Sequence, residues 1–250
     1  MSPSDRDPLS GHLGGLRRRL IHSVIAVGAG FALCYAYSED LFNLLVWPLK
    51  RSMAEGEKLI YTGLVDMFFT YLKTALTGGL LLAAPYLFCQ IRMSVAPERY
   101  RSQKKLLIAF LLSSTLLFAG GALFGYFVVF PYGFRFFLGF ENDYLQALPS
   151  VRHYFSLCVK LLFAFGLIFE LPVVAYFLSR TGVVSASLLR SKRKYAILAS
   201  FVLGAVLTPP DVVSQFLMAI PLIGLYEVGI LVARIGGRRR QKAASESSEE

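Results

Sequence analysis

Six apolar runs separated by short polar segments set the pattern of this chain. They cover about residues 20–37, 67–91, 106–131, 153–178, 195–207 and 213–232. A helix crossing the roughly 30 Å hydrocarbon core of a bilayer needs about 20 apolar residues. Most of the runs meet that length. The run Tyr195 to Leu207 does not, since as a helix it would extend only ~20 Å. Only Thr208-Pro209-Pro210-Asp211 separates it from the next run. The pattern therefore predicts a tight terminal hairpin and short last two helices. Arg190, Lys192, Arg193 and Lys194 precede the hairpin, and Arg238, Arg239, Arg240 and Lys242 follow it. Basic anchors at both ends fit a path out and back to one side of the membrane.

The reading that results is an all-α integral membrane protein of six transmembrane helices. Residues 1–19 form a cytoplasmic amino-terminal segment, 20–232 the membrane domain, and 233–250 a polar, disordered cytoplasmic tail. Composition agrees. Of 250 residues, 55% are hydrophobic, the mean hydropathy is +0.56 and 17% are charged, against about 25% charged in soluble domains. The opening residues lack an early apolar run ending in a small-residue cleavage site, so the first run is expected to remain as a helix.

The net charge of +10 would suggest nucleic acid in a soluble protein. Here the basic residues cluster between apolar runs, so topology explains them. Most lie before residue 20, in 92–105, in 180–194 and after 233. The positive-inside rule then places both termini in the cytoplasm. The exceptions are Lys50, Arg51, Lys58, Lys73, Arg135, Arg152 and Lys160, which fall outside or within spans. Cys34, Cys89 and Cys158 lie in or beside apolar runs and read as small buried residues. Scattered histidines give no metal site, no cofactor is implied, and no Walker, HExxH, CxxC or GxSxG motif points to an enzyme. The sequence shows no internal repeat, which weighs against a transporter built from inverted repeats.

Several polar or punctuating residues stand inside the apolar runs. Gly78-Gly79 and Pro85 predict a bend in the second span. Gly120-Gly121 and Gly125 predict close packing of the third. Glu170 sits in the fourth, where a carboxylate is costly unless solvated, paired or protonated. It either lines a water-accessible groove or serves as a packing contact. Pro172 is expected to bend the helix beside it. Lys160 reads as a snorkelling side chain. Glu227 is either a headgroup-level carboxylate or functional. Gln215 is a donor for a partner helix or a bound peptide backbone. Asp211 is placed to cap the last helix. Trp47, before Pro48, suits the membrane interface, and Pro48 should end a short helix.

These landmarks resemble the TatC family, the multispanning receptor subunit of the twin-arginine protein translocase. The likeness rests on His12-Leu13, Leu16-Arg17, Arg19-Leu20, Trp47-Pro48 and Ala96-Pro97. It continues through Phe127 to Pro131, Phe165-Gly166, Phe169 to Pro172, Leu207 to Asp211, Ser214-Gln215, Ile220-Pro221 and Glu227. It covers roughly Leu9 to Arg234. The resemblance implies a concave, cupped arrangement of six helices in the bacterial inner membrane. It implies a non-enzymatic receptor and core subunit for Sec-independent export of folded proteins, driven by the proton-motive force. Partners would be TatB-like and TatA-like single-span proteins, twin-arginine signal peptides and further copies of the chain.

By that resemblance Leu16, Arg17, Arg19, Glu98, Gln103 and Glu170 are signal-peptide candidates. Pro48, Phe127, Pro131, Leu207, Pro209, Pro210, Asp211, Gln215 and Glu227 are partner-binding or structural. Leu203, Val206, Phe216 and Leu217 are candidate apolar contacts on the hairpin. Two positions depart from the family pattern: Gly15 and Gln103 stand where the family carries glutamates implicated in contacting the signal arginines. Since an arginine pair wants carboxylates, Glu98 stands as the substitute, with Asp5, Asp7 and Glu170 as further acceptors. The alternatives are a paralogue with altered signal recognition, or a small ion-coupled transporter using Lys160, Glu170 and Glu227.

Overall fold

The computed structural model describes residues 8–53, 59–61, 63–95, 104–139, 148–208 and 211–249. Among these, ten α-helices and one π-helical turn account for the regular structure, with a single isolated bridge between Ile60 and Ser150. Five stretches are long and apolar enough to cross a membrane: Arg17–Ala36, Asp66–Gln90, Ile108–Leu138, Val151–Thr181 and Val212–Arg238. The fold is therefore all-α and multispanning. The chain divides into two compact units, one of residues 1–44 and 63–115, the other of 45–62 and 116–250.

The first unit is built on α1 (Pro8–Ala36) and α3 (Asp66–Val95), with the start of α2 (Ser38–Lys50). Glycine decides how α1 and α3 meet. A methyl group on Gly79 would lie 2.5 Å from the Phe31 backbone nitrogen, and one on Gly30 would lie 2.7 Å from the Gly79 carbonyl oxygen. The two backbones are thus in direct contact, as small residues permit between membrane helices. Cys34 packs on Gly78 in the same seam, and the Phe42 and Tyr71 rings lie 5.4 Å apart. α3 runs as one helix through Gly78, Gly79 and Pro85, and the glycine pair serves packing against α1. α1 begins at Pro8, so helix extends well ahead of the first apolar run.

The second unit holds the end of α2, most of α4 (Lys104–Phe124), the π turn Gly125–Val129, and α5 (Phe130–Leu138). It continues with α6 (Val151–Phe169), α7 (Leu171–Thr181), α8 (Ala186–Ser191), α9 (Arg193–Leu207) and α10 (Val212–Glu249). Gly121 and Gly166 seat α4 against α6. A methyl on Gly121 would meet the Phe165 carbonyl at 2.4 Å, and one on Gly166 the Phe118 ring at 2.6 Å. Gly125 also lies against Phe165, whereas among the described residues nothing approaches Gly120. On the other flank α7 packs along α10. Gly236 meets the Tyr176 carbonyl, and the buried Ser179 hydroxyl donates to the Ala233 carbonyl at 2.6 Å.

Three boundaries differ from the sequence expectation. Pro48 lies within α2, which ends two residues later at Lys50. The third span continues past Pro131 to Leu138 through a π turn. Of the terminal pair only α9 is short, at 15 residues; α10 has 38 and includes the segment expected to be a disordered tail. The tail's Arg, Gln, Lys, Ala and Glu are good helix formers, and none of its residues breaks the helix.

The seam between α1 and α3 yields a clean comparison. Gly79→Ala places a methyl against unyielding backbone and should lower the thermal unfolding midpoint of the detergent-solubilised protein, with a cost of about 1–3 kcal/mol. Gly28→Ala, where nothing described lies within 4 Å, should leave it unchanged or slightly raised, since alanine favours helix over glycine. Equal midpoints for the two variants would refute a backbone-limited seam.

Candidate functional site

The fourth crossing is interrupted at Glu170, as Pro172 predicts. Pro172 cannot donate a backbone hydrogen bond, so it is accommodated in the first turn of a new helix, and α6 gives way to α7 around it. Glu170 N–H turns back to the Leu167 carbonyl at 3.1 Å, and the Glu170 carbonyl accepts from Val174 N–H at 2.9 Å. The Glu170 side chain is only 6% exposed. Its neighbours in sequence are held on both flanks. Phe169 packs on Gly121 and Phe124 of α4, and Leu171 and Pro172 face Gly229 of α10. The carboxylate is therefore buried among packed helices, which favours the packing-contact alternative over the water-accessible groove.

The α9–α10 hairpin is fastened at both ends. At its tip Thr208 closes α9, with both its N–H and its hydroxyl donating to the Gly204 carbonyl. Asp211 opens α10: Oδ1 accepts from Ser214 N–H at 2.7 Å, and Oδ2 accepts from the Ser214 hydroxyl. This is the cap expected from the sequence. Gln215 Nε2 donates to the Phe201 carbonyl at 3.0 Å, so its polar end serves the adjacent helix. Gly204 lies against the Gln215 backbone, and Phe201 meets Phe216 edge-on at 4.9 Å. At the opposite end Arg193 Nη2 contacts Glu227 Oε2 at 2.6 Å. Tyr226 donates to the Leu189 carbonyl at 2.8 Å. Glu227 thus pairs with a basic residue 34 positions away in sequence, a link that no local pattern could reveal.

Pro48, Phe127 and Pro131 come together as the walls of one pocket of about 210 Å3, which also holds Trp47, Arg51 and Arg135. A second groove, of about 440 Å3, brings Lys160 beside Leu207 and Thr208 at the hairpin tip. Leu203, Val206 and Phe216 are exposed, and Leu217 is half-buried. Arg17 is exposed on α1 and Arg19 half-exposed. Leu16 belongs to α1, but its side chain lies outside the description. Glu98, Gln103, Pro209 and Pro210 lie outside the described residues. No group of three or more His, Cys, Asp or Glu able to hold a metal occurs among the described residues. The feature that sequence reasoning missed is the π turn, where Phe130 N–H reaches the Gly125 carbonyl. Its signal was a glycine six residues before Pro131.

Residues 11–221 match the family described as Sec-independent protein translocase protein (TatC). The chain belongs to the TatC family. It is 48% identical over 245 residues to a TatC protein of Desulforapulum autotrophicum, covering 98% of this chain and 91% of that protein. To the Escherichia coli K12 TatC protein it is 38% identical over 245 residues, covering 97% and 95%. A crystal structure described as the twin arginine translocase receptor TatC superposes with a TM-score of 0.81 at 40% identity, over 90% of this chain and 99% of that one. A second, described as the same receptor in DDM, gives 0.82 at 39% identity, over 89% and 99%. Within the TatC family, then, Glu170, the capped hairpin and the Pro48–Phe127–Pro131 pocket are the built features of this chain's second unit.

The hairpin tip permits a direct test. Asp211→Ala removes the acceptor for Ser214 N–H and should destabilise the solubilised protein by about 1 kcal/mol, whereas Asp211→Asn should cost only a small part of that, because asparagine caps nearly as well. Thermal unfolding of the two variants side by side separates a capping role from a need for the negative charge.

Proposed function

We propose that this protein is the receptor and core subunit of a Sec-independent translocase that recognises twin-arginine signal peptides and supports export of folded proteins on the proton-motive force. The observation that carries the reading is a TatC-family match across 11–221 together with a carboxylate enclosed at the break of a membrane-crossing helix. A buried intramembrane carboxylate is expensive and by default functional. In the reading we favour, α9 is a sixth, short crossing, and both termini lie in the cytoplasm of a bacterial inner membrane.

The signal's arginines dock on the segment 92–105 and the amino-terminal end of α1. With Gly15 and Gln103 in place of carboxylates, Glu98 is the main acceptor, since a guanidinium is best met by a carboxylate in bidentate fashion. The surrounding lysines and arginines would otherwise repel the signal. The apolar part of the signal enters toward Glu170, which is uncovered as the peptide displaces neighbouring side chains. The exposed edge of α9 and α10 at Leu203, Val206 and Phe216 receives single-span TatB-like and TatA-like partners. Copies of the chain associate in the assembled complex. A second reading is favoured by Gly15 and Gln103: a paralogue with altered recognition of the arginine pair. Glu227 is less available to the ion-coupled transporter alternative, because it is paired with Arg193.

Binding of a twin-arginine signal peptide to the purified protein tests this. The native protein should prefer the Arg-Arg peptide over its Lys-Lys counterpart. Glu98→Gln should weaken the Arg-Arg peptide roughly tenfold, the scale of one lost charged hydrogen bond. Unchanged affinity would remove Glu98 as the acceptor, and the absence of any Arg-Arg preference would select the paralogue. Photo-crosslinking from positions 98, 103 and 170 should capture a twin-arginine precursor at all three. Capture at 98 and 103 alone would confine the peptide to the surface.

A further inference from the structure

We infer that the pocket between the end of α2 and the π turn holds the phosphate of an anionic phospholipid, with the lipid's acyl chain lying along Phe127. The pocket of about 210 Å3 is lined by Arg51 and Arg135 from two segments distant in sequence, and among the described residues its lining includes no carboxylate. Two convergent arginines suit a phosphate, which a guanidinium can bind through two parallel hydrogen bonds.

The remaining walls specify a lipid over a soluble anion. Trp47 and Tyr132 are 46% and 61% exposed, and Phe127 is 58% exposed. The first two have the amphipathic character of interfacial aromatics. Phe127 and Arg135 both belong to the apolar stretch Ile108–Leu138, about two helical turns apart, with Arg135 near its end and Phe127 nearer its middle. One end of the pocket is therefore cationic and the other apolar and open, the polarity of a phospholipid standing upright beside the protein. Arg51 already lies 5.4 Å above the Trp47 ring, a stacking contact that orients its guanidinium. The buried Pro48 carbonyl is occupied by the Ser52 hydroxyl at 3.1 Å, so the pocket floor is fixed.

Charge pattern supplies an independent reason. By the positive-inside reading Arg51 and Arg135 belong to the outer face, where arginine is disfavoured. A lipid phosphate explains why both are tolerated at one place. An acidic segment of a partner protein would satisfy the arginines and leave the exposed Phe127 unused. The inference does not depend on signal-peptide binding.

Trp47 is the sole tryptophan of the chain, so its fluorescence reports on this pocket alone. The protein would be reconstituted in phosphatidylcholine vesicles carrying increasing fractions of brominated phosphatidylglycerol or, in parallel, brominated phosphatidylcholine. Native Trp47 should be quenched at a distinctly lower mole fraction of the phosphatidylglycerol quencher. Each arginine replaced by glutamine, Arg51→Gln or Arg135→Gln, should reduce that preference about fivefold. Arg152→Gln should leave the preference intact and controls for loss of surface charge, and an unchanged thermal midpoint of the native and variant proteins controls for folding. Equal quenching by the two lipids in the native protein, or a preference that survives the double substitution, would overturn the inference. Sodium phosphate that abolishes the preference at constant ionic strength would reassign the pocket to free phosphate. An acidic peptide doing so where phosphate does not would reassign it to a protein partner.

Discussion

In hydrocarbon each backbone N–H and C=O has to find its partner within the protein, because no water is at hand to replace one. Proline falls within four of this chain's crossing helices, at Pro85, Pro131, Pro172 and Pro221, and again between α9 and α10. At Pro131, at Pro172 and at the hairpin tip the structure shows how the freed groups are managed. Beside Pro131 the helix widens into a π turn, and Phe130 N–H reaches the Gly125 carbonyl. Beside Pro172 the helix stops and restarts, with Glu170 N–H returned to Leu167 and the Glu170 carbonyl taken by Val174. Between Thr208 and Asp211 the chain reverses, and Thr208, Asp211 and Gln215 supply side-chain partners. The same constraint thus gives three different solutions.

Such interruptions persist only where neighbouring helices hold them. Around Glu170 the support comes from glycine on both flanks. Gly121 and Gly166 bring α4 onto α6, while Gly236 admits α7 against α10. Larger residues at these points would push the helices apart and expose the carboxylate to lipid, where its cost is greatest. Close packing and the buried carboxyl group are therefore linked: the glycines make the enclosure within which it resides.

Much of this was legible in the sequence, and what was not has a physical reason. The apolar runs, the break near Pro172, the Asp211 cap and a helix-to-helix bond from Gln215 all follow from local chemistry. Hydropathy marks where lipid begins and ends, not where a helix does, so α1 starts well before residue 20 and α10 outlasts residue 232. A glycine pair reads equally as a bend or as a contact surface. Only the presence of Phe31 and Gly30 across from Gly79 decides for contact. The Arg193–Glu227 pair and the meeting of Pro48 with Phe127 join distant parts of the chain, which one sequence without homologues does not reveal. The signal-peptide candidates Glu98 and Gln103 stayed with the family resemblance, since nothing in their spacing identifies a ligand.

The length of α9 carries the last step. Fifteen residues give about 22 Å of helix against a hydrocarbon layer of roughly 30 Å. A free helix of that length could shift along its axis or let the bilayer thin around it. Shifting is opposed here, because Arg193–Glu227 fixes one end to α10, with Tyr226–Leu189 holding the adjoining α8, while Gln215–Phe201 and the Gly204 contact fix the other. In the proposed arrangement with α9 as a sixth crossing, the mismatch falls to the surrounding lipid along an edge that exposes Leu203 and Val206. Replacing that lipid with the side of another helix would relieve the deformation and bury apolar surface together. The proposed docking edge therefore has a driving force that comes from a length and four contacts, independent of any particular partner sequence.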